Sequence, residues 1–175
     1  MTLYLVRHPQ PDVAPGLCYG ASDVPVTEAE LARVHAGLAL PRGLPVYASP
    51  LRRCALLAER LAPGRVTLDA RLAEMDFGAW ELRPWSDIPR ADVDAWAANL
   101  LHYRPGGAEN VLDVARRIQG FIDELNESSA LVICHAGTIR LLAALHGGVP
   151  LEQAALNAAR TPHRIGYGQL VVLGV

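Results

Sequence analysis

Leu3-Tyr4-Leu5-Val6-Arg7-His8 is the stretch on which the reading of this chain turns. Four apolar residues in a row, without alternation, predict a strand buried on both faces, as in the middle of a parallel sheet. The strand ends in a permanent cation and a titratable imidazole, which are costly to bury unless something there uses them. In open α/β sheets, binding sites form just outside the carboxyl ends of the strands. Leu131-Val132-Ile133-Cys134-His135 repeats the pattern late in the chain. Two strand-end histidines with arginines nearby predict a phosphate-handling site in which a histidine is the nucleophile.

Working outward, residues 9–26 are rich in Pro and Gly and read as a loop. Thr27-Glu28-Ala29-Glu30 reads as a capping box, in which Glu30 reaches back to Thr27. The helix it opens should run to about Leu40 and stop at Pro41. Val46-Tyr47-Ala48 is a short strand, and Ser49-Pro50 reads as an N-cap followed by proline at the first helical position. That helix should reach about Leu61, before a short strand at Val66-Thr67-Leu68. Residues 73–90 read as irregular, and Ala91 to about Leu101 as a helix. Asn110 to about Leu125 predicts another, because Val111, Val114, Ile118, Phe121, Ile122 and Leu125 fall on one face. Thr138 is expected to cap a helix to about Leu145, and Gly168 to Leu173 is the last strand. Alternating strands and helices predict an α/β fold with a mostly parallel central sheet between layers of helices. The length predicts one domain over residues 1–175.

Composition narrows the chemistry. All 16 basic residues are arginine and none is lysine. Schiff-base chemistry on lysine, pyridoxal phosphate attachment and a P-loop lysine are thereby excluded for this chain. Arginine's permanent forked charge suits bidentate contact with phosphate. A net charge of -2 gives no bulk electrostatic case for nucleic acid. Cys18, Cys54 and Cys134 are far apart and form no C-x-x-C pair, so neither a zinc knuckle nor a disulfide framework is expected. No run approaches a membrane span, and the N-terminus enters a strand at once without a leader-like pattern. The expected setting is the cytoplasm, the expected partner a small phosphorylated metabolite, and no metal or cofactor is called for.

Around the histidines, several residues could share the work. Arg7 and an arginine from Arg52-Arg53 could clamp the equatorial phosphoryl oxygens; the spacing leaves open which of the pair points inward. An anion at the first turn of that helix would offset the unfavourable placement of arginine there. A leaving alkoxide needs a proton, which Glu74, Asp76 or Glu81 could supply by spacing alone. His35, His102, His146 and His163 fit surface or core roles better. Trp80, Trp85, Tyr19 and Tyr103 could stack on a ring of the leaving group, or simply be core.

Taken together these segments resemble the histidine phosphatase superfamily, with its phosphoglycerate mutase-like fold. Leu5-Val6-Arg7-His8 is similar to the family's Arg-His motif. Ser49-Pro50-Leu51-Arg52-Arg53 is similar to its second arginine motif, which favours Arg53. The run from Leu72 through Glu74 to Glu81 resembles the acid segment and favours Glu74, and Val132 through His135 to Arg140 resembles the second histidine motif. The resemblance implies His8 as phosphohistidine nucleophile, Arg7, Arg53 and His135 as the phosphate pocket, and Glu74 as general acid and then base. It further implies substrate contacts from Tyr19, Gly20 and Ala136, and a structural role for Gly106 to Asn110 with Arg117. The chain departs from the family in having Pro9 and Gln10 after the nucleophile and Ala14 six places on. Arg7-His8-Pro9 with Cys18-Tyr19-Gly20 resembles the α-ribazole phosphatase branch, which implies α-ribazole 5′-phosphate as substrate in assembly of the cobalamin nucleotide loop. A broad phosphatase, a phosphoglycerate mutase and a non-catalytic phospholigand-binding protein are the competing expectations.

Overall fold

A computed structural model describes residues 1–162 and 164–174. Five strands and six α-helices alternate along the described residues: β1 (Thr2–Arg7), α1 (Glu28–Gly37), β2 (Val46–Ala48), α2 (Arg52–Leu61), β3 (Val66–Leu68), α3 (Arg90–Ala98), α4 (Val111–Glu124), β4 (Ser129–Cys134), α5 (Ala136–His146), α6 (Leu151–Arg160) and β5 (Leu170–Leu173). The sheet order is β3-β2-β4-β1-β5, parallel throughout except for β5, which runs antiparallel to β1.

The uninterrupted apolar runs of β1 and β4 serve two cores at once. Leu3, Leu5, Ala130, Val132 and Cys134 face α4, α5 and α6. Val6, Leu131 and Ile133 face α1 and α2 on the other side. Successive side chains of a strand point to opposite faces, so a helix layer on each face demands apolar residues at every position. The histidine-bearing strands are accordingly adjacent and interior to the sheet, with Arg7 opposite Cys134 in the register.

Four local expectations change. The first helix ends at Gly37, short of Leu40, and Glu30 turns its carboxylate to the Gln10 N–H at 3.0 Å and to Arg33 instead of completing the box. Ser49 is not an N-cap. α2 begins after Leu51, Pro50 lies before the helix, and the Arg52 N–H donates to the carboxylate of Asp23 at 2.7 Å. The anion at this helix end is therefore a side chain of the loop before α1. Thr138 lies inside α5, its hydroxyl donating to the Ala73 carbonyl at 3.2 Å, while His135 occupies the N-cap. α6 was not expected at all; it packs on α4 and α5 through Ala154, Ala155 and Ala158. At the start of α4, Asn110 and Asp113 form a reciprocal capping box.

Candidate active site

The carboxyl ends of β1, β4 and β2 stop in line. The His8 N–H donates to the Cys134 carbonyl at 3.0 Å and the Ser49 N–H to the Ile133 carbonyl at 3.0 Å. His8 and His135 therefore stand side by side with ring centroids 5.0 Å apart. Both are buried, at 3% and 0% exposure.

The His8 Nδ1 lies 2.7 Å from the Pro9 carbonyl oxygen. A carbonyl only accepts, so Nδ1 carries the proton and Nε2 keeps its lone pair. Proline at position 9 preserves this contact because it offers its carbonyl and not its missing N–H. Burial, the charge of Arg53 and that of Arg7 pull the imidazole down to about 3, against the opposing bond to Pro9. His8 is a neutral base at any ordinary pH.

Arg7 and Arg53 flank this ring. The Arg7 guanidinium donates to the Ile165 carbonyl at 2.5 Å and lies over the Tyr167 ring, 3.8 Å from its centroid. Of the Arg52-Arg53 pair, Arg53 is the buried one, at 1% exposure. It donates to the Ser22 and Gly20 carbonyls at 2.8 and 2.6 Å. Those carbonyls are positioned by Glu81, whose carboxylate accepts from the backbone N–H groups of Gly20, Ala21, Ser22 and Phe77 and from the Ser22 hydroxyl. Burial alone would raise the Glu81 carboxyl; the hydrogen bonds outweigh it and hold the group below its ordinary value. Glu81 is thus committed to the loop. Asp76 likewise accepts from the Gly78 N–H at 2.8 Å. Gly20 sits behind Arg53 and off the cavity wall, where a Cβ would lie 1.9 Å from the Met75 carbonyl oxygen.

Glu74 remains as the carboxylate that lines the cavity. It accepts from the Gly137 N–H at 3.0 Å, at the start of α5. Its segment is held from behind by Arg117, which donates to the Arg71, Ala73 and Glu74 carbonyls and pairs with Glu109 at 2.9 Å. This is the supporting role expected for Glu109 and Arg117.

Five cavity-lining residues carry a buried nitrogen without a hydrogen bond among the described residues: Arg7 Nε, Arg53 Nε, His135 Nδ1, Trp96 Nε1 and Arg140 Nε. Buried donors are rarely left unpaired, and a cluster of them calls for an acceptor. The adjoining cavity of about 990 Å³ is lined by these residues, by Tyr19 and Ala136, and on its far wall by Phe77, Trp85, Trp96, Leu100, Val111 and Leu141. Trp85 and Trp96 lie within 6° of parallel at 6.4 Å.

Tyr167, Trp96, Phe77 and Arg140 were not singled out from the sequence as site residues. Tyr167 bonds the Tyr19 hydroxyl at 3.0 Å, and Arg140 lines the cavity while donating to the Thr161 carbonyl at 2.6 Å. An arginine three residues after Gly137 on the same helix was the available signal for Arg140; nothing local marks the others. Of the ring-stacking candidates, Tyr19 and Trp85 reach the cavity, whereas Trp80 is buried in a satellite core against Tyr103. His35 and His102 are exposed and His146 is half-buried, all away from the cavity; His163 lies outside the described residues. No group of three or more His, Cys, Asp or Glu placed to hold a metal occurs among the described residues. No helix among them is long and apolar enough to cross a membrane.

A parallel sheet with paired histidines and arginines at its carboxyl edge has the make-up of a phosphoryl-handling enzyme. The profile described as the histidine phosphatase superfamily (branch 1) matches residues 3–165, and the chain belongs to that superfamily. It is a phosphoric monoester hydrolase by class. The chain is 30% identical over 168 residues to an adenosylcobalamin/alpha-ribazole phosphatase of Escherichia coli, covering 87% of this chain and 82% of that one. It is 30% identical over 158 residues to the protein of the same name from Salmonella typhimurium, covering 82% and 78%. Its fold superposes on the crystal structure of the alpha-ribazole phosphatase from Shigella flexneri with a TM-score of 0.81 at 27% identity, over 100% of this chain and 91% of that one.

Proposed function

We propose that the chain hydrolyses a phosphate monoester through a phosphohistidine on His8, and that its substrate is α-ribazole 5′-phosphate. The observation that carries the mechanism is the His8 Nδ1 bond to Pro9, which leaves Nε2 as a lone pair in a cavity lined also by Arg7, Arg53 and His135. The phosphoryl group is received by Arg7, Arg53 and His135. The Nε2 lone pair forms the N–P bond as the ester P–O bond breaks, and the Glu74 carboxyl gives its proton to the leaving alkoxide. Glu74, now a carboxylate, takes a proton from water, the hydroxide displaces His8 from phosphorus, and phosphate leaves with the imidazole restored. Stabilisation of the transferring group rests on positioned charge, which is the dominant need of phosphoryl transfer.

For the substrate, the far wall of the cavity is the support. Aromatic and aliphatic side chains there suit a planar, uncharged base such as the benzimidazole of α-ribazole. The names of the relatives agree with it. Three free buried cysteines accord with a reducing, cytoplasmic setting.

The test is metal-free phosphate release from α-ribazole 5′-phosphate against a panel of small esters. Clear preference for α-ribazole 5′-phosphate is expected. Even rates across the panel would reduce the assignment to a broad phosphatase, and binding without turnover would support the non-catalytic reading.

A further inference from the structure

Ser49, His135 and His8 are the residues directly after β2, β4 and β1, three adjacent strands of the sheet. The mechanism above uses the two histidines and leaves Ser49 without a task. Its side chain is fully buried, and its Oγ lies 2.8 Å from His135 Nε2. We propose that Ser49 holds His135 as its Nδ1–H tautomer, so that a neutral imidazole donates a hydrogen bond to the phosphoryl group. This rests on the phosphate-binding reading of the site and adds a positioning residue to it.

The hydrogen-bond directions favour that tautomer. The Ser49 Oγ already accepts from the Leu51 N–H, at 3.4 Å, so its own O–H is the group available for His135. The Cys54 thiol also lies 3.5 Å from this Nε2, but its one proton goes to the Cys134 carbonyl at 3.6 Å, so the Ser49 hydroxyl is the donor that Nε2 faces. Nδ1, on the other side of the ring, is buried with no partner among the described residues. In a neutral imidazole, the bond made by one nitrogen decides which nitrogen carries the proton.

The reverse tautomer would place the Nδ1 lone pair against phosphoryl oxygens, where lone pairs repel. The doubly protonated ring is not an easy escape. Burial, with the nearby charges of Arg53, Arg117 and Arg7, holds His135 well below the ordinary histidine value. A neutral donor at this place also leaves the positive charge to Arg7 and Arg53. Ser49 would act only through His135, which distinguishes it from the residues that touch the substrate.

The experiment is a long-range ¹H–¹⁵N correlation spectrum of protein labelled with ¹⁵N-histidine, with and without inorganic phosphate. Comparison with His135→Asn assigns the ring. The expected result is a pyrrole-type Nδ1 and a pyridine-type Nε2 for His135 in the wild type, in both conditions. A protonated Nε2 would overturn the proposal without recourse to any variant. Ser49→Ala should shift His135 toward the other tautomer. It should also reduce kcat/KM about tenfold or more, the scale of a lost hydrogen bond to a charged group. Ser49→Thr should restore both tautomer and rate. An Ser49→Ala protein that folds, keeps the wild-type His135 pattern and keeps its rate would also refute it. Absence of ester hydrolysis by the wild type would refute the phosphatase reading instead, while the spectrum still decides the tautomer.

Discussion

Glu74 and Gly137 are in mutual contact so close that each restricts the other. The carboxylate accepts from the Gly137 N–H at 3.0 Å, and a Cβ on Gly137 would lie 2.4 Å from Glu74 Oε1. Glycine is required here for space, since the residue is helical and needs no unusual backbone. Gly137→Ala should displace the carboxylate while leaving His8 and the arginines in place. We expect alkyl phosphates, whose leaving group needs a proton, to lose much more kcat than p-nitrophenyl phosphate. Glu74→Gln should show the same split. Equal losses on both substrates would remove Glu74 from the proton-donor role.

Glu81→Gln tests the scaffold behind Arg53. The substitution replaces one carboxylate oxygen with a donor that faces backbone N–H groups, at a cost of about 1–3 kcal/mol. Each kcal/mol should lower Tm by roughly 2–4 °C in a protein of this size. Because the Gly20 and Ser22 carbonyls orient Arg53, the inhibition constant for inorganic phosphate should rise as well. A thermal loss with unchanged phosphate inhibition would separate the loop from the clamp.

Tyr167 supports Arg7 from below. Removing the ring in Tyr167→Ala should weaken competitive inhibition by phosphate by roughly 3- to 30-fold, the scale of a partly desolvated cation–π contact of ~0.5–2 kcal/mol. Tyr167→Phe keeps the ring and loses only the bond to Tyr19, so it should stay near wild type. Similar behaviour of the two variants would assign the effect to the hydroxyl.

Acid should unfold this protein through its buried histidines. His8 titrates at about 3 when folded and near 6.5 when unfolded. Between those values the unfolded chain binds the extra proton, so stability is full above about 6.5 and is lost as the pH falls toward 3. His135 shifts in the same direction, and Glu81, a carboxyl held below its ordinary value of 4.5, adds to the loss at lower pH. Thermal melts from pH 7.5 to 4 should show a steadily falling Tm. In His8→Asn the slope should be shallower; an identical slope would show that His8 is not buried as a neutral base.

The sequence made the strands legible because a sheet covered on both faces leaves its mark at every position, as in Leu3 to Val6 and Leu131 to Cys134. The helix α4 was legible because Val111, Val114, Ile118, Phe121 and Ile122 mark one face within a single stretch. What the sequence concealed was partnership at a distance. Ser49 and Thr138 look like helix caps when only their neighbours are considered, but Asp23 and Glu74 come from elsewhere in the chain to meet those helix ends. Glu81 is as plausible an acid as Glu74 by spacing, and only its five donors show that it is already engaged. α6 escaped notice because its buried face is alanine, which gives little contrast to a hydrophobic pattern. Tyr167 and Trp96 reach the cavity from elements whose local sequence says nothing of phosphate.

The support of Arg7 by the Ile165 carbonyl joins residues 158 positions apart. The Gly168 N–H likewise closes on the Arg7 carbonyl, just before the strand that borders β1. On a ribosome, therefore, His8 emerges long before Ile165, and the guanidinium beside it waits for that residue before it gains its seat. A nascent chain that has laid down four parallel strands holds every proposed reacting group and still lacks a finished anion site. Competence to turn over a phosphate ester thus arrives with the antiparallel strand, and catalysis itself becomes a reporter of that strand's docking on β1.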